Sequence, residues 1–487
     1  MSLRQQIEGC VPITAAIAVT VTALKLGNAL LRRRAPRPPG PDDAAARQSA
    51  SRSQVTAPPS DLPLLPPDPA LPGLGQLFDP AYFEGVYRSL HPDVEDAPER
   101  IELRRMTYRP GQRILVTYAA QRVIGDWVLE DEFAIELLSG EERTHAFRYP
   151  EDPYLPGLAT AASAVDGEEL LRQNVRLRTD KLRVELVRYR PSTRAVLRYR
   201  AGLRRGRERR LSLYVRAMRP ALVSRFVAAG ELADRSSFHI PSLAGRWDDG
   251  GIVWLTAMPG RTVRHHLFRG TPPEPALILD SLASLWALDA PDGAPVTSLP
   301  KTLRFTERFL AQVLQGRPGM ATLAEILAAL APLADTWQPS GVAHNDFYDD
   351  QLILLPSGEL GLVDFEECGL GDQMVDVANM LAHLRWSGHF LKSDAARLYR
   401  EQFRAASLAR FGWDARDLDL REAYCLLRLC TNPVRGLRSD WRDVTEDALL
   451  LARSALPRRA SASRPPDVGR FAALDEPGHR AYDRGVT

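Results

Sequence analysis

The segment at residues 342–366, VAHNDFYDDQLILLPSGELGLVDFE, restricts the fold of this chain more than any other stretch. An apolar run ends in a His-x-Asp that contains Asp346, which is where a loop begins. The apolar runs LILL and LGLV flank a Pro-Ser-Gly turn, and this pattern predicts a β-hairpin. Such a hairpin returns Asp364 to the side of Asp346, so the sequence predicts two carboxylates close together.

The residue types in this segment suit phosphoryl transfer. Asp346 can accept the proton of an attacking hydroxyl or hold that hydroxyl in line, and Gln351 can offer an amide oxygen to a metal ion. Asp364 can chelate the Mg²⁺ that bridges the phosphates of a nucleotide. The reaction needs mainly an aligned acceptor and cations that neutralise the transferring group. Each piece alone is usually a turn or a solvated loop, so the prediction depends on their order and spacing.

This spaced set resembles the aminoglycoside phosphotransferase and choline kinase superfamily, which has a protein-kinase-like fold. The positions that carry the resemblance are His344, Asp346, Gln351, Asp364, Glu366, Asp372 and Asp376. As a set, these positions are far more specific than a lone glycine motif. The resemblance is good in the carboxy-terminal part, weaker from about 182 to 260, and absent before residue 76.

The resemblance also implies a role for each of these residues. Asp346 is implied as the catalytic base, and Gln351 and Asp364 as metal ligands. Asp376 is implied as a brace for the catalytic loop, and His344 and Asp372 as structural supports. Gln351 stands where the superfamily usually has asparagine, and it keeps the amide oxygen.

The nucleotide end departs from the superfamily pattern. Kinases place a lysine on the third strand, but the candidate strand LSLYVRAM carries Arg216. The lysines of this chain, Lys25, Lys181, Lys301 and Lys392, all lie elsewhere. Arginine stays cationic and can bind phosphate bidentately. We therefore expect Arg216 to bind the phosphates with Glu231 as its partner; the alternatives are Arg198 on the preceding strand, or a solvent-facing Arg216.

The turn of the first hairpin in this region, Arg190 to Arg194, is expected to lie over the phosphates. It contains no glycine, so a close approach of its backbone to a ligand is limited. The hydroxyl groups of Ser192 and Thr193 can serve as ligand contacts instead.

Periodicity predicts a two-lobed α+β fold. Strand-rich patterns fill residues 180–256 and helical patterns fill 261–455, which indicates a small β-rich N-lobe and a larger helical C-lobe. A disordered leader and a small α+β segment precede them. The expected units are a leader at 1–75, an α+β segment at 76–160, the N-lobe at 161–260, the C-lobe at 261–456 and a disordered tail at 457–487.

Residues before 74 have the composition of a leader. An apolar run at 11–31 precedes Arg32–Arg34, and a weak membrane anchor is an alternative that we do not favour. Residues 35–73 are rich in proline, alanine and serine, and this composition predicts a linker that cannot bury a core. We therefore expect a cytoplasmic protein.

Two segments resemble each other. Residues 101–118 read IELRRMTYRPGQRILVTY and residues 182–199 read LRVELVRYRPSTRAVLRY. Both share Tyr-Arg-Pro, then an arginine and a tyrosine, and both predict a hairpin. Their likeness is either an old duplication or the same local solution found twice.

The functional hypothesis is an enzyme that transfers a phosphoryl group from ATP, or alternatively GTP, with Mg²⁺ to a hydroxyl of a small molecule. The net charge of +2, from 63 basic and 61 acidic residues, gives no argument for a nucleic-acid partner. One alternative is a catalytically impaired, kinase-like binding or scaffolding protein. Another is a membrane-tethered partner protein anchored through residues 11–31.

Overall fold

The computed structural model describes residues 30–33, 65–94, 97–124, 127–141, 143–203 and 210–457. The predictions for the apolar run before residue 30, the linker from 34 to 64 and the tail after 457 lie outside these residues. Within them, a β-rich lobe is joined to a helical lobe, and a further sheet precedes both. The predicted two-lobed α+β architecture is confirmed.

The first sheet is antiparallel, with the order β1-β4-β3-β2 and with β5 also paired to β4. Its strands are β1 Leu30–Arg33, β2 Arg100–Arg109, β3 Arg113–Ile124, β4 Trp127–Leu138 and β5 His145–Arg148. A 3₁₀ turn at Leu74–Phe78 and helix α1 at Pro80–Leu90 precede β2. Helix α1 covers one face of this sheet, where Phe83 packs 5.2 Å from the ring of Tyr118.

The second sheet is also antiparallel and has the order β6-β7-β8-β10-β9. Its strands are β6 Thr179–Arg190, β7 Arg194–Leu203, β8 Arg210–Met218, β9 Leu243–Trp247 and β10 Ile252–Thr256. Helices α2 Leu158–Ala162 and α3 Ala164–Leu170 and a π turn at Leu171–Val175 precede it. A 3₁₀ turn at Pro220–Leu222 and helix α4 at Val223–Asp234 follow β8. This sheet has a hydrophobic core of its own, which includes Leu197, Tyr199 and Trp254.

The helical lobe follows a short strand, β11 Arg261–Thr262. Its helices are α5 Val263–Phe268, α6 Pro275–Trp286, α7 Leu299–Val313, α8 Gly319–Thr336, α9 Gln373–Phe390, α10 Asp394–Phe411, α11 Ala415–Leu429, α12 Asn432–Arg435 and α13 Trp441–Ala455. Its short strands are β12 Gly341–Ala343, β13 Leu352–Leu354, β14 Leu360–Leu362 and β15 Gly369–Gly371, with a 3₁₀ turn at Phe365–Glu367. Strands β13 and β14 form the predicted hairpin, because Leu352 pairs with Leu362.

The turns of the two similar hairpins are built alike. Each is closed by a pair of arginines, Arg109 with Arg113 and Arg190 with Arg194. The residue after the proline adopts a left-handed conformation in both hairpins, with φ 73° at Gly111 in the first and φ 60° at the equivalent serine in the second.

A carboxylate holds each of these turns from outside the hairpin. Asp68 accepts hydrogen bonds from the hydroxyl of Tyr108 (2.7 Å) and the amide of Gly111 (2.8 Å). Asp152 accepts the equivalent bonds from the hydroxyl of Tyr189 (2.9 Å) and the amide of Ser192 (2.7 Å).

The segments that carry these two aspartates also match in sequence. Residues 68–74 read DPALPGL and residues 152–158 read DPYLPGL. Each precedes a helix and then the hairpin. Independent occurrence of the same local structure accounts for a hairpin. It does not account for an aspartate outside each hairpin that binds the equivalent tyrosine and the equivalent turn amide. The structure therefore favours duplication over the alternative.

The linker predicted over residues 35–73 is wrong from residue 65 onward. Leu65 and Leu71 are buried in the main hydrophobic core, and Asp68 holds the first hairpin. Proline and alanine dominate the composition here, but the few leucines are spaced to bury against the first sheet. Strand β1, at Leu30–Arg33, likewise falls inside the expected leader.

One helix of the described residues, α8, is long and apolar enough to cross a membrane when judged by length and composition alone. It places Leu323, Ile326 and Leu330 in the core of the helical lobe. It also packs against α7 and α13. A core helix meets the same criteria, so α8 gives no evidence for a membrane span.

Candidate active site

The loop that contains the His-x-Asp of residues 344–346 follows β12, and Asp376 on α9 binds its backbone. The carboxylate of Asp376 accepts hydrogen bonds from the amides of His344 (2.8 Å) and Asn345 (2.8 Å) and from Nε1 of Trp286 (3.0 Å). Complete burial raises the pKa of Asp376 to about 7, although these donors oppose the shift. These contacts agree with the brace that the resemblance implied.

His344 lies inside the fold and does not face the cleft. Its Nδ1 accepts a hydrogen bond from the amide of Asp346 at 3.3 Å, and its ring packs 5.7 Å from that of Phe347. Burial lowers the pKa of His344 to about 4, so the imidazole is neutral at physiological pH. A neutral, enclosed ring that orders the loop backbone fits a supporting role.

Asn345 shows why this loop tolerates a residue other than glycine. Its φ is 68°, in the left-handed region that asparagine enters more readily than most residues. Its Nδ2 donates to the carbonyls of Ala343 (3.3 Å) and Glu367 (2.8 Å). These bonds stabilise the turn that presents Asp346.

Asp346 is the loop residue that faces the cleft, and 43% of its side chain is exposed. A guanidinium nitrogen of Arg428, on α11, lies 3.6 Å from its Oδ1. Burial raises the pKa of Asp346, Arg428 opposes that shift, and the acidic side chains of residues 364–367 add to it. A partly exposed carboxylate with a raised pKa is a better proton acceptor than a free one.

Asp364 lies where the predicted hairpin was expected to return it. The amide nitrogen Nε2 of Gln351 is 3.4 Å from its Oδ2. Asp364 has φ 54°, a left-handed conformation that is uncommon for aspartate and turns its carboxylate toward the N-lobe. Gln351 and Asp364, which the resemblance implied as metal ligands, are therefore neighbours in the structure.

Two arginines of the second sheet meet the carboxylates of this segment. Arg216 donates to Oδ1 of Asp364 at 3.1 Å and also to Glu366. Arg194 lies 3.4 Å from Oδ2 of Asp364 and also donates to Glu366. Burial by itself raises the pKa of Asp364, but the charges of Arg194 and Arg216 outweigh it and hold the pKa below its ordinary value. Asp364 therefore stays ionised.

Glu231, predicted as the partner of Arg216, does not fill that role. It is exposed on α4, whose Val223, Phe226 and Gly230 face inward. The carboxylates at Arg216 come from Asp364 and Glu366 instead, and the guanidinium lies 5.0 Å from the ring of Phe226. Helical periodicity turns Glu231 away from the cleft.

The turn residues Ser192 and Thr193 form hydrogen bonds with other residues of the protein. Ser192 is buried, and its hydroxyl accepts a hydrogen bond from Arg113 at 2.5 Å. Its carbonyl accepts another from Arg219 at 3.1 Å. The hydroxyl of Thr193 donates to Pro191 at 3.4 Å. These contacts tie the turn to the first sheet, and the expectation that both hydroxyls serve the phosphates gains no support from them.

Arg194 is the site residue that the sequence analysis missed. Arg194 pairs with Met218 and Val196 pairs with Arg216, so the two arginines are diagonal neighbours on one face. Arg198, the alternative cation, bonds to Ser212 at 3.4 Å instead. The shared Tyr-Arg-Pro-x-x-Arg pattern was the available signal for Arg194.

Asp372 supports the site from the start of α9. Its Oδ1 accepts a hydrogen bond from the amide of Met374 at 3.1 Å and so caps the helix. Its Oδ2 accepts another from Arg421 at 2.7 Å. Asp372 thereby fixes the helix that carries Asp376.

The residues implied for Mg²⁺ fit that ion. Oxygen donors from carboxylates and amides are those that Mg²⁺ prefers, and Gln351 lies beside Asp364, where its Nε2 donates to Oδ2 at 3.4 Å. A rotation of this amide would bring its oxygen toward an ion held by Asp364. Oε2 of Glu366 is buried beside them, without a hydrogen-bond partner among the described residues. No group of three His, Cys, Asp or Glu side chains suited to a metal occurs in the described part of the chain. Gln351 is not one of these residue types, so the pair of Asp364 and Gln351 is not covered by that statement.

Comparison with known proteins agrees with this site. The family model described as the phosphotransferase enzyme family matches residues 164–418, just over half of the chain. The chain therefore belongs to this family. The match covers the second sheet and most of the helical lobe, and it begins after the first sheet.

Individual relatives and solved structures resemble this chain only over a short stretch or at low sequence identity. The probable acyl-CoA dehydrogenase IBR3 of Arabidopsis thaliana is 36% identical over 87 residues, which is 16% of this chain and 11% of that protein. A choline/ethanolamine kinase family protein from Mesorhizobium loti is 17% identical, with a TM-score of 0.40, over 55% of this chain and 87% of that chain.

Spectinomycin phosphotransferase, solved with ADP and spectinomycin, is 11% identical, with a TM-score of 0.44, over 60% of this chain and 99% of that chain. Choline kinase LicA from Streptococcus pneumoniae is 13% identical, with a TM-score of 0.41, over 60% and 98%. Because these TM-scores are below 0.5, family membership depends on the family match and not on them.

Proposed function

We propose that this protein transfers the γ-phosphoryl group of ATP to a hydroxyl of a small molecule. The observation that supports the proposal is the pair of carboxylates, Asp346 and Asp364, each held beside guanidinium groups. Asp346 faces the space that an acceptor would enter, and Asp364 lies beside the cations that a triphosphate requires.

The transfer places each residue in a definite role. The acceptor hydroxyl gives its proton to Asp346 while its oxygen forms a bond to the γ-phosphorus. The bond from that phosphorus to the β-phosphate oxygen breaks, and ADP leaves. Arg194 and Arg216 would stabilise the phosphate charge, because arginine binds phosphate in a bidentate manner. Mg²⁺ held by Asp364 and Gln351, with Glu366 near it, would neutralise the phosphates when bound.

A catalytically impaired binding protein is the second candidate, and one observation favours it. Both arginines already contact the carboxylates of Asp364 and Glu366. A nucleotide must compete for these donors before it can bind. Retention of both Asp346 and Asp364 favours the active enzyme, since loss of function leaves neither of them under constraint.

The test measures ADP formation from Mg-ATP and Mg-GTP with a panel of hydroxylated metabolites. Asp346→Asn should abolish turnover and leave nucleotide binding intact. Asp350→Asn is the matched control, because Asp350 is exposed in the same loop. Turnover by Asp346→Asn at the rate of the wild type would refute the assignment of the base. A folded wild-type protein that binds no nucleotide would favour the impaired alternative.

A further inference from the structure

A third guanidinium group of the site contacts Asp346 and comes from the helical lobe. A nitrogen of Arg428, on α11, lies 3.6 Å from Oδ1 of Asp346. Arg194 and Arg216 come from the second sheet and contact Asp364 instead. The proposed transfer uses these two arginines for the nucleotide phosphates and leaves Arg428 without a role.

The hydrogen-bond donors of Arg428 are only partly used within the protein. Its ion pair with Asp346, at 3.6 Å, is longer than a hydrogen bond, whose donor and acceptor are about 2.7–3.2 Å apart. Cys425 and the ring of Tyr424, which lies 5.8 Å from the guanidinium carbon, are neighbours from the preceding turn of α11. A guanidinium group carries several N–H donors, and 27% of this side chain is exposed. Donors therefore remain available to a bound molecule.

The packing of helix α11 fixes the position of Arg428. Glu422, on the same helix, is completely buried and accepts hydrogen bonds from Arg385 of α9 and Arg400 of α10, both at 2.8 Å. Arg421 binds the cap of α9 and lies two turns before Arg428, so both are on one face of α11. Helix α9 in turn binds the backbone of the His-x-Asp loop. The guanidinium and the carboxylate that it contacts are therefore positioned by the same packed helices.

The geometry of phosphoryl transfer brings the moving group close to this guanidinium. A base takes up the acceptor proton over a distance of about 2.6–3.2 Å, and the phosphorus is about 3–3.5 Å from the attacking oxygen. The γ-phosphorus therefore lies roughly 4–6 Å from the carboxylate of Asp346 when that residue acts as the base. Because the guanidinium of Arg428 is 3.6 Å from the same carboxylate, its N–H groups can reach the phosphoryl oxygens.

We propose that Arg428 is a catalytic residue that donates hydrogen bonds to the oxygens of the transferring phosphoryl group. The inference rests on the proposed function and adds a cation from the helical lobe to those of the second sheet. Negative charge spreads over these oxygens in the transition state, and a positioned arginine stabilises it. The guanidinium keeps its protons throughout. The acceptor proton goes to Oδ2 of Asp346, since Oδ1 faces Arg428.

The first experiment uses Mg-ADP with aluminium fluoride, an anion that imitates the transferring phosphoryl group. Calorimetry gives the affinity of the full-length protein for Mg-ADP with and without aluminium fluoride, and fluoride alone is the blank. Aluminium fluoride should tighten the binding of Mg-ADP to the wild type. Arg428→Gln should reduce that tightening roughly tenfold to a hundredfold, as loss of a charge-assisted contact does. The affinity of this variant for Mg-ADP alone should be unchanged.

Two further variants serve as controls. Arg428→Lys keeps the positive charge and should retain part of the tightening, which shows that the loss in Arg428→Gln is not a loss of folding. Arg416→Gln removes an exposed arginine from the first turn of the same helix and should leave both affinities unchanged.

A double-mutant cycle separates direct contact from an effect that acts through Asp346. If Arg428 contacts the phosphoryl group itself, Arg428→Gln should lower the tightening by the same factor in the wild type and in Asp346→Asn. An effect of Arg428→Gln that disappears in the Asp346→Asn background would make Arg428 a positioning residue for the base. That result would overturn the proposed contact.

The outcomes separate this inference from the proposed function. A folded wild type that binds no Mg-ADP would reject the proposed function, and the role of Arg428 with it. A wild type that binds Mg-ADP without any tightening by aluminium fluoride would overturn the role of Arg428 alone. Tightening that is equal in the wild type and in Arg428→Gln would do the same and leave the proposed function in place.

Discussion

The two sheets share one hairpin framework and carry opposite charges at one equivalent position. In the first sheet Leu115 pairs with Glu136, and in the second Val196 pairs with Arg216. Glu136 therefore occupies the position of Arg216, just as Arg113 occupies that of Arg194. In the first sheet, Arg113 forms an ion pair with the buried Glu136.

In the second sheet both equivalent positions are cationic. Their carboxylates come from Asp364 and Glu366 in the helical lobe. The arginine of the first sheet pairs with a glutamate of the same sheet, whereas the arginines of the second sheet pair with carboxylates of the helical lobe. A glutamate at this position of one sheet and an arginine at the equivalent position of the other thus separate a sheet that pairs its own charges from a sheet whose charges meet the helical lobe.

The largest effect is expected from Arg216→Glu, which copies the charge of the first sheet into the second. The variant places a third carboxylate beside Asp364 and Glu366, so nucleotide binding at millimolar concentration should disappear. Calorimetry with Mg-ATP measures this. Arg216→Lys keeps the charge and should bind. Unchanged affinity in the glutamate variant would mean that Arg216 does not contact the phosphates.

The converse change tests the first sheet. Glu136→Gln should destabilise the protein by about 3 kcal/mol, because it leaves Arg113 partly buried without its counter-charge. Its effect on nucleotide affinity should be small. Denaturant unfolding gives the free energy, with Glu141→Gln as an exposed control. A large loss of nucleotide affinity would show that the first sheet belongs to the phosphate site.

Protonation of His344 at acid pH should lower the free energy of unfolding. Its native pKa of about 4 lies below its ordinary value, so the unfolded state takes up a proton first as the pH falls below 6.5. The contribution of His344 to the free energy of unfolding is nearly complete above about pH 7.5 and should decrease by about 2 kcal/mol between that pH and pH 5. Asp376 contributes with the opposite sign, because its raised pKa stabilises the folded protein as the pH falls. The contribution of His344 is therefore the difference in slope between the wild type and His344→Gln. The slope is measured by unfolding at several pH values, and an equal slope in the variant would contradict the assignment.

The smallest effects concern the aspartates that hold the two turns. Asp68→Asn and Asp152→Asn should each cost roughly 1–3 kcal/mol of stability, as weakened buried hydrogen bonds do. Only Asp152→Asn should also raise the KM for ATP, because its turn precedes Arg194. Paired measurements of unfolding and steady-state kinetics separate the two. Equal KM changes in both variants would show that the sheets share one function.

In the helical lobe, the sequence predicted which residues lie near one another. The order of the His-x-Asp, the hairpin and the Asp-Phe-Glu fixed Asp346, Gln351 and Asp364 near one another, because turns and short strands are local structures. The brace at Asp376 followed from the family resemblance. These positions lie close in the chain, so pattern and spacing were sufficient.

The N-lobe half was predicted less well. The strand of Arg216 was found, but its expected partner Glu231 was wrong, and Arg194 was missed. The segment from residue 65 was taken for a linker, since its match to residues 152–158 is short. Each of these depends on contacts between distant segments.

By itself, the sequence determined the loop after the His-x-Asp, the hairpin and a cation on the third strand, since these depend on residue type and local periodicity. Only the tertiary structure decided which charges meet. The contact between Arg216 and Glu366 and the hydrogen bond from Ser192 to Asp152 join residues far apart in the chain. Packing of whole sheets and helices sets such contacts, and no local pattern encodes them.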